Sequence, residues 1–163
     1  MTETLKQRTI RSFVLRAGRM TDAQEKAYQT LWDEYGLVFH HHRLNLQEAF
    51  GREASLVLEI GFGMGDSLLN QAINEPHRDF LGVEVHKPGV GRLMNEAKKA
   101  GVTNLRVICE DAVEVLADGL GPQSLEGVQI YFPDPWHKKR HHKRRIIQPS
   151  FINLLAHRVR LGG

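Results

Sequence analysis

At 163 residues, 41% of them hydrophobic, the chain has the size of one domain and enough apolar material for a core. It contains no apolar run of the roughly 18 residues that span a membrane and no apolar signal segment at its N-terminus, so the cytoplasm is the expected compartment by default. The net charge of +3 is unevenly divided: residues 1–20 carry +4, residues 137–145 carry six Lys/Arg and no acid, and the remainder is left at −7, so an anionic partner met at defined places is expected, nucleic acid above all.

Residues 1–20 lack periodicity and read as a basic arm. A docking helix is predicted over 21–35, opening at the cap residues Thr21 or Asp22 and carrying Ala23, Ala27, Leu31 and Tyr35 at helical spacing. Residues 36–54 read as a connection with a helical turn near 46–50. The run His40-His41-His42 is expected in a solvated loop, because neighbouring residues of a helix point about a hundred degrees apart and cannot converge on one metal. These segments form an N-terminal region, 1–54, ahead of a domain over 55–163. In that domain, short apolar runs at 56–60, 80–85, 105–109 and 128–132 alternate with helical stretches at 66–74, 89–100, 112–117 and 149–160. Near-continuously apolar strands alternating with helices predict an α/β fold, a doubly wound parallel sheet covered on both faces. The single cysteine, Cys109, ends an apolar run and reads as a structural thiol.

The first strand runs into Glu59-Ile60-Gly61-Phe62-Gly63-Met64-Gly65-Asp66 and then a helix, the arrangement in which a nucleotide cofactor approaches a glycine-rich turn closely. A dinucleotide fingerprint needs a third glycine where Asp66 stands, and Gly65 comes one residue too soon, so NAD is disfavoured. S-adenosylmethionine has no phosphate and carries cationic sulfonium and amino groups that Glu59 can answer. Glu84, near the end of the second strand, suits two ribose hydroxyls whichever the cofactor. Asp111, after the third strand, suits either the adenine amino group or the cap of the next helix. Glu59, Gly61, Gly63, Gly65, Glu84 and Asp111 thus form a candidate cofactor pocket.

The fourth strand leads into Phe132-Pro133-Asp134-Pro135-Trp136-His137-Lys138, where two prolines stiffen a turn that presents Asp134 beside the expected crevice. Trp136 is equally suited to stacking on a base or to packing. The following Lys138-Lys139-Arg140-His141-His142-Lys143-Arg144-Arg145 repels itself unless an anion compensates it, and phosphate contacts are the expected reason. His137 and His141 have zinc-ligand spacing, but no third ligand matches and six cations oppose a metal, so none is expected.

These motifs resemble the bacterial tRNA (guanine-N7)-methyltransferase family. The resemblance rests on residues 59–65, on Phe80-Leu81-Gly82-Val83-Glu84-Val85-His86, on Asn104-Leu105-Arg106-Val107, on the Phe-Pro-Asp-Pro-Trp turn with Lys143-Arg144-Arg145, and on the arm Ile10-Arg11-Ser12-Phe13-Val14 with Gly18-Arg19. It implies a Rossmann-like, S-adenosylmethionine-dependent enzyme that methylates a guanine N7 in the variable loop of tRNA. It further implies Glu59, Glu84, Asp111 and Asp134 at the cofactor, Asp134 also as the catalytic residue, Lys138 near substrate, and Arg140, Lys143, Arg144 and Arg145 on RNA. Where the family's sheet has seven strands, this chain supplies about four and ends at Leu161-Gly162-Gly163, so an incomplete sheet is expected. Two other readings remain: a non-catalytic RNA-binding module and, less favoured because of Asp66, an NAD-dependent oxidoreductase.

Overall fold

In a computed structural model of the chain, residues 11–13, 18–131, 133 and 135–163 are described. Helix α1, Asp22–Tyr35, starts at a reciprocal cap: the Gln24 amide donates to Thr21 Oγ1 at 3.2 Å, and the Thr21 amide donates to Gln24 Oε1 at 2.9 Å. The helix buries Ala27 and Tyr35, and the Tyr35 hydroxyl donates to the Val102 carbonyl at 3.0 Å. A short helix α2, Leu46–Phe50, follows the histidine run, which lies in an exposed connection as expected, and it stops at Gly51 in the left-handed conformation.

The sheet contains β1 (Leu56–Ile60), β2 (Asp79–Val83), β3 (Leu105–Ile108) and β4 (Gly127–Ile130), all parallel in the order β3-β2-β1-β4. Between them run α3 (Asp66–Asn74), α4 (Lys87–Ala100) and α5 (Ala112–Glu114), and α6 (Pro149–Arg158) follows. Strand alternation sorts the core into two layers. Leu56, Leu58, Ile60, Leu81, Val83 and Ile108 pack with Val115, Leu116, Leu120, Leu125 and Phe151 on one face. Val57, Phe80, Leu105 and Val107 pack with Leu68, Ala72, Val90, Leu93, Met94 and Ala97 of α3 and α4, and with Tyr35 of α1, on the other. Each large apolar side chain so buried contributes roughly 1.5–3 kcal/mol. The doubly covered α/β sheet is therefore as the apolar runs predicted.

Several bounds differ from expectation: β2 covers Asp79–Val83 rather than 80–85, β3 ends at Ile108 and α6 at Arg158, and three further differences have a physical reason. The fourth strand stops at Ile130 rather than reaching 132, and its residues are only half-buried because β1 is its one ladder partner among the described strands. The helix expected at 112–117 is three α-helical residues followed by a wide turn over Val115–Gly119. Remote groups hold that turn: Arg158 donates to the Leu116 and Ala117 carbonyls, and the Leu44 amide donates to Gly119. Helix α4 begins two residues early, at Lys87, with Pro88 in its first turn where a missing amide hydrogen costs nothing. No helix among the described residues is long and apolar enough to cross a membrane.

Candidate cofactor cleft and basic turn

β1 delivers the chain into the turn at the carboxyl edge of the sheet. Gly61, Gly63 and Gly65 have φ of 67°, 60° and 86°, a region that costs an L side chain roughly 1–2 kcal/mol. A Cβ on Gly61 or Gly63 would meet nothing within 4 Å, so the turn leaves open space where a ligand can come against the backbone. The Gly61 amide donates to the Val83 carbonyl at 2.8 Å, and Gly65 to Phe62 at 2.9 Å. Glu84, one residue past β2, accepts from the Gly63 amide on Oε2 at 2.9 Å and from the His86 amide on Oε1 at 3.2 Å. The two strand ends are thereby tied together.

A cleft of about 680 Å³ opens at this edge, within the size range of small-molecule sites. Gly61, Gly63, Glu84 and Lys87 form one side, and Tyr131, Pro133 and Pro135 form another. Asp134 and Phe132 lie outside the described residues, but the prolines on both sides of Asp134 border the cleft. Glu59 does not line it. Its side chain is buried, Oε2 has no hydrogen-bond partner among the described residues, and burial raises its pKa to about 7. Asp111 also lies off the cleft: it accepts from the Val113 amide at 2.8 Å, the capping alternative, while its neighbour Glu110 borders the cleft instead.

Sequence reasoning missed further lining residues. Ser12, Phe13 and Gly18 of the arm reach the cleft, as do His86 and Lys87 at the start of α4. The tie that brings the arm there spans 124 positions: the Trp136 indole N–H donates to the Ser12 carbonyl at 3.1 Å. Trp136 is buried, with Arg144 lying 5.0 Å above its ring and His141 edge-on at 5.6 Å, so of its two expected uses the structure has it packing. A polar-aromatic pair so far apart in sequence leaves no local signal.

Residues Lys139–Arg144 form a 3-10 turn with no buried residue. It is held from its flanks, since Arg145 donates to the Pro135 carbonyl at 2.7 Å and Gln148 to the Lys143 and Arg145 carbonyls at 2.5 and 2.6 Å. Among the described residues, none of Lys138, Arg140, Lys143, Arg144 and Arg145 pairs with a carboxylate. The His141 pKa is lowered by desolvation and by the cations of Arg140, Arg144, Lys138 and Lys143. No group of three or more His, Cys, Asp or Glu among the described residues gathers as a metal site would.

The model of a family described as "Putative methyltransferase" matches residues 53–163. A curated tRNA (guanine-N(7)-)-methyltransferase from Shewanella amazonensis is 56% identical over 156 residues, which cover 96% of this chain and 66% of that protein. One from Saccharophagus degradans is 52% identical over 163 residues, covering 100% of this chain and 71% of the relative. The first of these is thus spanned over slightly less than two thirds of its length. Among solved structures, a 16S rRNA methyltransferase, KamB, aligns with a TM-score of 0.52 at 17% identity, over 89% of this chain and 56% of that one, a likeness of fold.

Proposed function

The chain belongs to the tRNA (guanine-N7)-methyltransferase family, and from that premise we propose that it transfers a methyl group from S-adenosyl-L-methionine to N7 of a guanine in the variable loop of tRNA, in the cytoplasm. The observation that carries this reading is the convergence, on one cleft, of the glycine turn, Glu84 and the prolines flanking Asp134.

The residues present fit the cofactor. S-adenosylmethionine supplies a methyl group on a cationic sulfonium together with an amino group. Glu59, two residues before the turn, lies behind the cleft rather than in its lining; its buried Oε2 has no partner among the described residues, and a cation within reach would supply one. Each Glu84 oxygen has accepted one backbone hydrogen bond and retains a second lone pair, enough to receive a ribose hydroxyl. Asp111, which caps α5 and lies off the cleft, is not assigned to the adenine end. Gly61 and Gly63 admit the cofactor against the backbone, whereas Gly65, expected beside them, lies off the cleft with Leu93 packed against it and serves to shape the turn.

Guanine N7 carries an in-plane lone pair at neutral pH, so the protein need not create a nucleophile. Its contribution is to hold the base in line, which can supply much of the rate. Positive charge develops on the base as the bond forms, and we assign Asp134 to stabilise it. Lys138 is assigned to the substrate near the cleft, and Arg140, Lys143, Arg144 and Arg145 to phosphates, which explains their lack of internal carboxylate partners among the described residues. The N-terminal region, 1–54, is read as an arm and docking helix against a methyltransferase domain over 55–163.

Calorimetric titration with S-adenosylhomocysteine and NAD in parallel tests the proposal. S-adenosylhomocysteine should bind and NAD should not, since Asp66 holds a carboxylate at the start of α3, where a pyrophosphate would sit. Binding of tRNA with neither nucleotide would instead mark a non-catalytic RNA-binding module.

A further inference from the structure

A turn built on three left-handed glycines is loose unless something holds it from outside, and the outer support here comes from one stripe of α4. Gly89, Arg92 and Leu93 stand at i, i+3 and i+4 on that helix and meet the turn in order. A Cβ at Gly89 would lie 1.9 Å from the Gly63 carbonyl oxygen, and one at Gly65 would lie 2.7 Å from Leu93. Between these contacts, Arg92 Nη1 donates to the Met64 carbonyl at 3.0 Å and to Asp66 Oδ1 at 2.6 Å. One nitrogen therefore joins the last bend of the turn to the first residue of α3. We propose that Arg92 is a positioning residue: it fixes the Met64-Gly65-Asp66 bend and so holds the Gly63 and Gly65 backbone in the form that receives the cofactor. Asp66, whose carboxylate argues against a dinucleotide, is here the anchor of that clamp.

Only the identity of the ligand in this inference rests on the function proposed above. Arg92 itself does not border the cleft, so its effect on binding must pass through the turn. Both bonds leave from a single nitrogen, which makes lysine a partial substitute, whereas alanine removes both. The test measures two quantities on the full chain: amide hydrogen exchange at Gly63 and Gly65 without ligand, and S-adenosylhomocysteine affinity by calorimetry. Arg92→Ala should speed exchange at the turn and weaken binding, each by about tenfold, as expected for a lost charge-assisted bond. Arg92→Lys should recover most of both. Lys98→Ala, which removes the Glu34 pair farther along α4, should move neither. Should Arg92→Ala fail to fold, Asp66→Asn carries the test, with a several-fold loss expected in both quantities. Parent-like exchange in a folded Arg92→Ala protein, or faster exchange with affinity unchanged, overturns the assignment. If the parent itself does not bind S-adenosylhomocysteine, the cofactor reading falls, while the exchange data still decide whether Arg92 holds the turn.

Discussion

Two walls face each other across the cleft, and they are built differently. On the glycine wall every residue of β1 and β2 is buried, and the turn between β1 and α3 is fixed by backbone bonds and by helix α4 behind it. From Tyr131 to Arg145, by contrast, Trp136 is the one buried residue among those described, and the segment hangs on a few side-chain bonds to carbonyls. The first wall has its shape before any ligand arrives, since apolar burial has already offset the entropy of ordering it. The second gathers cations that pair with no carboxylate among the described residues. A pre-formed small-molecule site thus stands opposite a surface whose energetics are completed by its partner.

If that contrast holds, the two walls should break in different ways. The largest effect is expected from Gly89→Val, which drives a branched side chain into the Gly63 carbonyl. Overpacking of this kind costs about 1–3 kcal/mol of stability, and the displaced turn should weaken S-adenosylhomocysteine by roughly a hundredfold. Thermal melting and calorimetry check both. A folded variant with parent-like affinity would mean that α4 does not shape the turn.

On the opposite wall, replacing Lys143, Arg144 and Arg145 together by Ala should flatten the slope of log K against log salt for tRNA by about two to three. Over a fourfold change of salt that is roughly a thirtyfold difference. A shift of the intercept alone would show that these cations do not contact phosphates. Smaller again, Glu84→Ala should weaken S-adenosylhomocysteine about tenfold through lost charge-assisted hydrogen bonds. The same variant also frees the Gly63 amide, so Glu84→Gln, which keeps one acceptor oxygen, should lose less.

The contrast also accounts for what could be read in advance. β1, α2 and α3 have the predicted bounds because their signals are local: a β-branched apolar run, Asn45 with Glu48, and a glycine turn ahead of an amphipathic stretch. The fold class followed from the same alternation. Glu84 was legible as a carboxylate at a strand end. The cleft residues Ser12 and Phe13 were not, because a tryptophan in the distant proline turn positions the arm. Asp111 suited an adenine contact or a helix cap, and only the 2.8 Å bond to Val113 shows that capping is in use. The wide turn after α5 was missed because the groups that satisfy its carbonyls come from α6 and from the connection before α2.

The smallest predicted effect tests the glycine wall at its one electrostatic flaw. Glu59 is 3% exposed, has no partner on Oε2 among the described residues, and has its pKa raised from 4.5 to about 7 by burial. A carboxyl group with a higher pKa in the folded state binds its proton more tightly there than in the unfolded chain. The stability it contributes is therefore fully present below about pH 4.5 and is lost as pH rises through 7, by at most roughly 3 kcal/mol. Glu59→Gln cannot titrate, so its stability should vary less across that window than the parent's. Ligand binding should run in the opposite direction. A cationic cofactor prefers the ionised carboxylate, and the ionised fraction climbs from about a tenth at pH 6 to about nine tenths at pH 8, so affinity should rise somewhat less than tenfold over that range with release of a proton. The informative quantity is the difference between parent and variant, measured by calorimetry in buffers of different ionisation enthalpy. Matching pH profiles and matching proton release in the two proteins would remove Glu59 from the cofactor site and leave its buried carboxylate without a ligand to explain it.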